Sequence, residues 1–308
     1  MKTLKLIAPD YYNSFSCIAS ACRHSCCVGW DIAVDEDTYE YYKTVGGALG
    51  KKLKKSISVT DEGACFAVDE NLHCPFLQAD GLCEIICNLG EGALCNICAD
   101  HPRFRNYFAD RTEIGLGLSC EAAAKLVLSK KEKTELIVLE DDGVNEQADE
   151  EETALLKFTD NLFAIAQDRE FTVEERTENL CDFCGFDLPD MSFAKWAEFY
   201  SSLERLDKEW EEKLILLKST NHFFIETEFQ TAFEQLLVYF LYRHMPLALY
   251  DGDVVSKVGF AIISVKIIAA IFSQLECKSI DTLADLARMY SAEIEYSDEN
   301  PERIFEII

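Results

Sequence analysis

Apolar residues recur at helical spacing through the second half of the chain. From about residue 152 onward, spacings of three and four positions predict amphipathic helices, first in ETALLKFTDNLFAIAQDRE and then in SFAKWAEFYSSLERLDKEWEEKLILLK. FQTAFEQLLVYFLYRHM and VSKVGFAIISVKIIAAIFSQL are more apolar, which predicts that they form the core of a helical bundle. Because Lys257 and Lys266 interrupt the latter segment, we interpret it as a buried helix and not a membrane span. SIDTLADLARMYSAEIEY predicts a final amphipathic helix.

The first 130 residues show weaker periodicity. A helix is predicted from the acidic residues at 35–40 to about Lys55, and short strands are predicted near 56–60 and 65–69. From Cys74 to Phe108, glycines and prolines interrupt the chain, which is typical of turns. An alanine-rich helix is predicted to follow to about Ser129, with Ser119 as its N-cap.

Residues 137–153, IVLEDDGVNEQADEEET, are acidic and polar, which predicts a linker or exposed loop. We therefore predict a cysteine-rich metal-binding region over 1–130, an acidic linker or loop over 131–149 and a helical domain over 150–308. The expected fold is mainly α, with a cysteine-rich, metal-organised N-terminal region that contains short strands and packs on a C-terminal helical bundle.

The chain is strongly acidic. Of its 308 residues, 49% are hydrophobic. The chain has 29 lysines and arginines and 56 aspartates and glutamates, which gives a formal charge of −27. Such a surface repels nucleic acid and anionic membranes and attracts basic protein segments. The N-terminal MKTLKLIAPDYY has no continuous apolar stretch or cleavage site of a signal peptide, so we expect a cytoplasmic protein without nucleic-acid or membrane partners.

The 14 cysteines are unevenly distributed, with 11 of them between Cys17 and Cys120. Reducing conditions in the cytoplasm disfavour a disulfide framework, and packing alone does not explain this density, so we interpret the region as a metal site. Cys181 and Cys184 are expected to pack in a turn, and Cys277 is expected to be a buried apolar residue.

Four cysteine groups carry the metal prediction. They are Cys22-x3-Cys26-Cys27, Cys74 with Cys83, Cys95-x2-Cys98, and Cys120. Thiolates at such steps bind an iron–sulfur cluster or one or two zinc ions, and the spacing does not decide between these. His24, His73 and His101 are further candidates for ligands or bases, and Arg103 for an anion contact. The dinucleotide, P-loop, serine-hydrolase and zincin motifs are absent, so the residues alone name no reaction.

The order of these motifs resembles the flagellin lysine-N-methylases, the FliB family. The matching residues are Phe15-Ser-Cys17, Cys22-x3-Cys26-Cys27-Val-Gly-Trp30-Asp-Ile32, Asp35-x2-Thr38-Tyr39, Cys74-Pro-Phe-Leu77, Asp80-Gly-Leu-Cys83, Leu89-Gly90, Leu94, Cys98-x2-His-Pro102-Arg103, Leu118-Ser-Cys120-Glu121 and Leu237-Val-Tyr-Phe-Leu-Tyr-Arg243. The cysteine elements also resemble a broader group of cysteine-rich zinc- or iron-chelating proteins. Cys87, Cys95 and His101 depart from the family pattern, which puts Cys95-x2-Cys98 in doubt as a ligand pair.

The resemblance implies a cytoplasmic enzyme that methylates surface lysines of flagellin, with S-adenosylmethionine as methyl donor and a [4Fe-4S] cluster. The candidate ligands that it implies are Cys22, Cys26, Cys27, Cys74, Cys83, Cys98 and Cys120, with Cys17 weaker. Zinc is the alternative metal.

A base or desolvation must help the acceptor lysine lose its proton, and Tyr12, Asp31, Asp35 and Tyr39 are nominees for the base. A metal-binding protein without enzymatic activity and a redox-sensing protein are the competing hypotheses.

Overall fold

The computed structural model describes residues 5–30, 32–61, 63–143 and 147–308. It contains a smaller unit, Ser16–Arg103, and a larger unit that joins Phe104–Ile308 to the N-terminal segment ending at Phe15. The α-helices are α1 Glu36–Thr44, α2 Gly47–Ser56, α3 Glu84–Leu89, α4 Asn96–Asp100, α5 Glu121–Ser129, α6 Glu150–Ala166, α7 Val173–Cys184, α8 Phe193–Ser201, α9 Lys208–Ser219, α10 Gln230–His244, α11 Ala248–Asp251, α12 Val254–Ser273, α13 Ile280–Tyr290 and α14 Asn300–Phe305. The strands are β1 Lys5–Pro9, β2 Ala33–Val34, β3 Ile57–Thr60, β4 Gly63–Phe66, β5 Arg103–Tyr107, β6 Arg111–Leu116 and β7 Leu136–Glu140. The mainly α prediction is confirmed, with 55% helix and 12% strand.

The larger unit contains a four-stranded sheet in the order β5-β6-β1-β7. Strand β1 runs parallel to β6, with Leu6 opposite Thr112, and antiparallel to β7, with Ile7 opposite Val138. The prediction of a linker or loop over 131–149 is therefore wrong at residues 136–140, where LIVLE forms an edge strand. Because β1 pairs within this sheet, the compact units also differ from the predicted division at residues 130 and 150.

Side-chain caps set the starts of many helices in the larger unit. Capping boxes begin α6 at Asp149, α7 at Thr172 and α13 at Ser279, so that the exposed first-turn amides are satisfied. The predicted N-cap Ser119 is wrong, because Cys120 occupies that position before α5. The segment 193–219 forms two helices, α8 and α9, and a π-helix over Ser291–Glu295 and then α14 follow α13, which is not the final helix.

Helices α10 and α12 form the centre of the larger unit. Their sequences are apolar around nearly the whole circumference, and almost every residue is buried. Within the described residues, α12 is long and apolar enough to cross a membrane by length and composition, but 83% of its apolar window is buried inside the fold. The interpretation of this segment as a buried helix agrees with that burial.

Helix α10 also carries charge into this core. The buried Glu234 carboxylate accepts from Arg176 at 2.8 Å and from Arg169 at 2.7 Å, and the Arg176 side chain is 4% exposed. At the other end of α10, the buried Glu295 carboxylate contacts Arg243 at 3.2 Å and His244 at 2.7 Å. The Glu234 and Glu295 carboxylates therefore each have a charged or hydrogen-bonding partner, which offsets the cost of burying them.

The smaller unit has a three-stranded sheet in the order β2-β4-β3 and its own apolar core. Tyr42, Phe66 and Phe76 form the centre of this core, with the Phe66 and Phe76 ring centroids 4.9 Å apart. The single helix predicted to about Lys55 is two helices, α1 and α2. Gly47, with a φ of +69°, allows the chain to turn between them in a backbone conformation that other residues rarely adopt.

We predict that Glu234→Gln destabilises the larger unit. The substitution leaves the buried Arg176 guanidinium without its carboxylate, which typically costs about 3–5 kcal/mol. Urea unfolding should show this loss, whereas the exposed Glu228→Gln control should unfold like the parent chain. Equal midpoints for the two variants would contradict the prediction.

Candidate functional site

The smaller unit holds ten cysteines, and hydrogen bonds of the backbone bring two of their loops together. The Cys74 amide donates to the Cys27 carbonyl at 2.8 Å, and Val28 and His73 form an antiparallel bridge beside this bond. The segments CCVGW and HCPFL therefore run side by side. This pairing places the thiols of two distant cysteine motifs in one region, as a shared metal site requires.

Cys27 lies at the centre of the thiol groups. The thiols of Cys26 and then Cys74 hydrogen-bond to the Cys27 sulfur, and these contacts lower the pKa of Cys27 to about 3. The same contact with Cys27, followed by burial, raises the pKa of the Cys74 thiol. One thiolate thus forms here at neutral pH while its neighbour keeps its proton, because two adjacent buried negative charges repel.

Two short helices supply further thiols. Cys83 is the N-cap of α3, and Cys95 is the N-cap of α4, whose first turns present exposed amides. The Cys98 thiol hydrogen-bonds to the Cys95 sulfur, which lowers the pKa of Cys95 and raises that of Cys98. Burial is the main cause of the raised pKa of Cys83, and the contact with Cys95 is the main cause of the raised pKa of Cys98. The charge on Cys27 adds to both shifts.

Asp35 and Tyr42 hold the chain around α4. The Asp35 side chain caps α1 by accepting from the Thr38 amide at 3.0 Å and accepts from the Asn96 amide at 2.8 Å. Although burial opposes its ionisation, the amides of Asn96 and Thr38 lower the pKa of Asp35. The Tyr42 hydroxyl donates to the Ala93 carbonyl at 2.7 Å, just before the Cys95 segment. Asp35 therefore links α1 to the start of α4, and its nomination as a base stays a prediction.

The three nominated histidines have different environments. Burial lowers the pKa of His101, although the nearby Cys27 opposes this shift. His73 lies at the surface, 3.4 Å from the Asp69 carboxylate. The His24 carbonyl accepts from the Cys22 thiol at 3.2 Å. His101 thus interacts electrostatically with the central Cys27.

Among the seven candidate ligands, Cys26, Cys27, Cys74, Cys83 and Cys98 interact closely enough to influence one another's pKa values. The Cys22 thiol donates to the His24 carbonyl, and Cys120 is the N-cap of α5. The ligand set stays a prediction. The Cys95-x2-Cys98 pair, which the spacing suggests and the family pattern puts in doubt, is in hydrogen-bond contact, and its role as a ligand pair stays a prediction.

The remaining nominated bases have other environments. Tyr39 lies under the Lys43 ammonium, which is 4.0 Å from its ring centroid, and Tyr12 packs against the core of the larger unit. Asp31 lies outside the described residues. Cys181 and Cys184 occupy the last turn of α7 and pack against the core, whereas Cys277 is exposed, so its predicted burial is wrong.

The thiols of the smaller unit are the candidate metal ligands. In the part of the chain that the structure describes, no group of three or more His, Cys, Asp or Glu side chains could hold one metal ion as placed. Thiolates bind zinc and iron–sulfur clusters alike, so the type of donor leaves both metals open.

A polar network in the larger unit supports the segment that precedes α5. The Tyr239 hydroxyl accepts from the Leu118 amide at 3.3 Å and donates to Glu295 at 2.9 Å. Arg243 donates to the same hydroxyl at 2.9 Å. The family-like residues Tyr239 and Arg243 of α10 therefore fix the backbone two positions before Cys120.

Comparisons with known proteins relate the chain to one family. Residues 187–308 match the model of the FliB lysine N-methylase C-terminal domain. The chain is 31% identical over 137 residues to the lysine-N-methylases of Salmonella typhimurium and Salmonella choleraesuis, and the match covers 42% of this chain and 34% of each relative. It is 27% identical over 141 residues to the flagellar biosynthetic protein FliU of Salmonella muenchen, covering 42% of this chain and 80% of FliU.

The matched stretch spans about a third of the length of the two lysine-N-methylases. No solved structure matches this chain. The family model and the relatives support the resemblance of this chain to the FliB family, and the family model matches the part that contains the α10 motif.

Proposed function

We propose that this chain is a protein-lysine N-methyltransferase that transfers methyl groups from S-adenosylmethionine to surface lysines of flagellin. The observation that carries the proposal is the match of residues 187–308 to the FliB lysine N-methylase C-terminal domain. The name lysine-N-methylase of two relatives supports the activity, and the flagellar name of a third supports a flagellar substrate. Another lysine-bearing protein is the alternative substrate.

The charge of the chain suits a lysine-bearing partner. Its formal charge of −27 favours encounter with basic segments and disfavours binding to nucleic acid. A lysine ammonium, with a pKa of about 10.4 in water, must lose a proton before its nitrogen can attack a methyl sulfonium. The enzyme therefore needs an apolar environment and a proton acceptor at the acceptor lysine. A cytoplasmic location is part of this proposal.

The metal proposal concerns the smaller unit. Cys27, Cys74, Cys83 and Cys98 would hold a [4Fe-4S] cluster, with Cys26 and Cys95 adjoining it as alternative ligands. The mutual influence of Cys27 and the other three thiols on their pKa values supports this set. A bound cluster would supply positive charge that stabilises several thiolates at once and would link short helices that share a small core.

Methyl transfer tests the first proposal. Anaerobically purified protein incubated with flagellin and S-adenosylmethionine should add methyl groups to lysines, measured by mass spectrometry of flagellin peptides. Omission of the donor is the matched control. Unmodified flagellin, together with an unmodified pool of other basic proteins, would refute the activity.

Cys27→Ser tests the metal centre. Because Cys27 is the central thiol, we expect the variant to lose most of its metal, measured as iron, sulfide and zinc per chain after anaerobic purification. The Cys277→Ser control changes an exposed cysteine and should keep about four irons per chain, the content of one cubane cluster.

Stoichiometric zinc without sulfide in the parent protein would show that the bound metal is zinc and not an iron–sulfur cluster. Metal content without methyl transfer would favour the non-enzymatic metal-binding hypothesis. A protein that lacks metal but forms reversible disulfides at the Cys27–Cys74 or Cys95–Cys98 contact would favour the redox-sensing hypothesis.

A further inference from the structure

A cavity of about 510 Å³ lies within the larger unit. Strand β6, the residues that precede it, helix α6 and the end of α10 contribute to its walls. The volume falls within the range of roughly 300–1,000 Å³ that is typical of small-molecule sites.

Apolar and aromatic side chains form much of the wall. Phe108, Leu155, Phe163 and Tyr242 line the cavity, and the rings of Phe163 and Tyr242 lie 6.5 Å apart. The Tyr242 hydroxyl points away to the backbone, because it donates to the Ile114 carbonyl at 3.1 Å. This wall suits the aliphatic part of a ligand, such as a chain of methylene groups.

Glu113 is the buried charged group of the wall. Its residue is 4% exposed, and no hydrogen bond or ion pair to its carboxyl occurs among the described residues. Glu113 and Arg111 both line the cavity, as residues two positions apart on one strand share a face. A buried carboxyl without a partner is costly, so its position against a cavity indicates that a ligand supplies the partner.

The neighbouring cation does not satisfy Glu113. The Arg111 guanidinium donates twice to Asp110, each time at 3.0 Å, which is a bidentate pair. Asp160 and Lys157 occupy exposed parts of the lining. The charged groups around the cavity are thus three carboxyls and two cations, and a further cation would balance them.

We propose that this cavity binds the side chain of the acceptor lysine, with its methylene groups against Phe108, Phe163 and Tyr242 and its ammonium on the Glu113 carboxylate. The inference rests on the proposed lysine methyltransferase function and deepens it by assigning the acceptor site. Glu113 then holds the ammonium and receives the proton that the N–H bond releases, so that the amine keeps a free electron pair. That pair forms the bond to the methyl carbon of the sulfonium donor, and the electrons of the broken carbon–sulfur bond remain on sulfur.

The acidity of Glu113 fits this role. Burial raises its pKa to about 7, while Arg111 opposes the shift and Asp110 and Asp160 add to it. A carboxyl with such a pKa exchanges protons near neutrality, as a general base should. Because an ammonium needs the ionised carboxylate, binding should weaken by about tenfold from about pH 8 to about pH 6.

The test measures binding of N-acetyl-lysine amide to the full chain by calorimetry, with N-acetyl-norleucine amide as the probe that lacks the ammonium. Glu113→Gln removes the charge at nearly constant volume and should weaken lysine-amide binding by at least about tenfold and abolish its pH dependence. The Glu140→Gln control changes an exposed carboxyl on β7 of the same sheet and should bind like the parent chain.

Equal binding of the lysine and norleucine probes, or unchanged lysine-amide binding in Glu113→Gln, would overturn the inference. So would loss of S-adenosylmethionine binding in that variant with lysine-amide binding retained, because the cavity would then belong to the donor. The melting temperature of Glu113→Gln at about pH 8 should equal or exceed that of the parent chain, because ionisation of the buried carboxyl opposes folding above its pKa.

These outcomes are separate from those of the proposed function. If the parent chain binds the lysine probe but methylates no protein, the proposed methyltransferase activity is refuted, whereas the proposed amine-binding site is supported. A parent chain that methylates flagellin while Glu113→Gln does so with unchanged KM and kcat contradicts the amine site alone.

Discussion

The larger unit depends on burying a charged helix at its centre. Helix α10 is enclosed by apolar side chains, yet it carries Glu234, Arg243 and His244. Burial of a single unpaired charge would cost several kcal/mol, so the surrounding elements must supply partners at fixed places. Arg176 of α7 is the partner of Glu234, and Glu295 of the π-helix is the partner of Arg243 and His244. Burial opposes the ionisation of Glu295, but Arg243 and His244 lower the pKa of its carboxyl. The packing of α7 and of the chain after α13 therefore follows from the charges of α10.

The same helix also holds two backbone segments of that unit in place. Through its hydroxyl, Tyr242 fixes the backbone of β6 next to Glu113, and Tyr239 fixes Leu118 ahead of Cys120. Gln235 adds a bond to the Thr134 hydroxyl at 2.6 Å, just before β7. A side chain in the cavity and a cysteine before α5 thus share one rigid support. A substitution at Tyr239 would change the backbone ahead of Cys120, whereas one at Tyr242 would change both the backbone of β6 and the wall of the cavity.

The sequence predicted the helices of the larger unit well but not its sheet. Long apolar periodicities, as in α10 and α12, identify helices whatever their neighbours are. Strands β1, β6 and β7 are five or six residues long and are specified by pairing between segments more than one hundred positions apart, which local patterns do not reveal. The acidic composition after residue 139 concealed β7. Glu113 was missed for a similar reason, since one glutamate in a strand has no motif, and only the fold shows that its carboxyl is buried beside a cavity.

The cysteine motifs differ from these strands, because their density alone predicted a shared site. The structure shows that Cys26, Cys27, Cys74, Cys83 and Cys98 interact, whereas the metal stays a prediction. The spacing could not predict which of these thiols ionises and which keep their protons. Adjacent thiols in a partly buried cluster cannot all ionise, since each thiolate raises the pKa of the next. Cys27 takes the thiolate form because Cys26 and Cys74 donate to it, and Cys74 keeps its proton as a result. Cys98 keeps its proton mainly because its thiol hydrogen-bonds to Cys95. A multivalent cation is the simplest way to stabilise several thiolates at this place. We therefore expect metal binding to release protons from Cys74 and Cys98 and to make the fold of the smaller unit more stable.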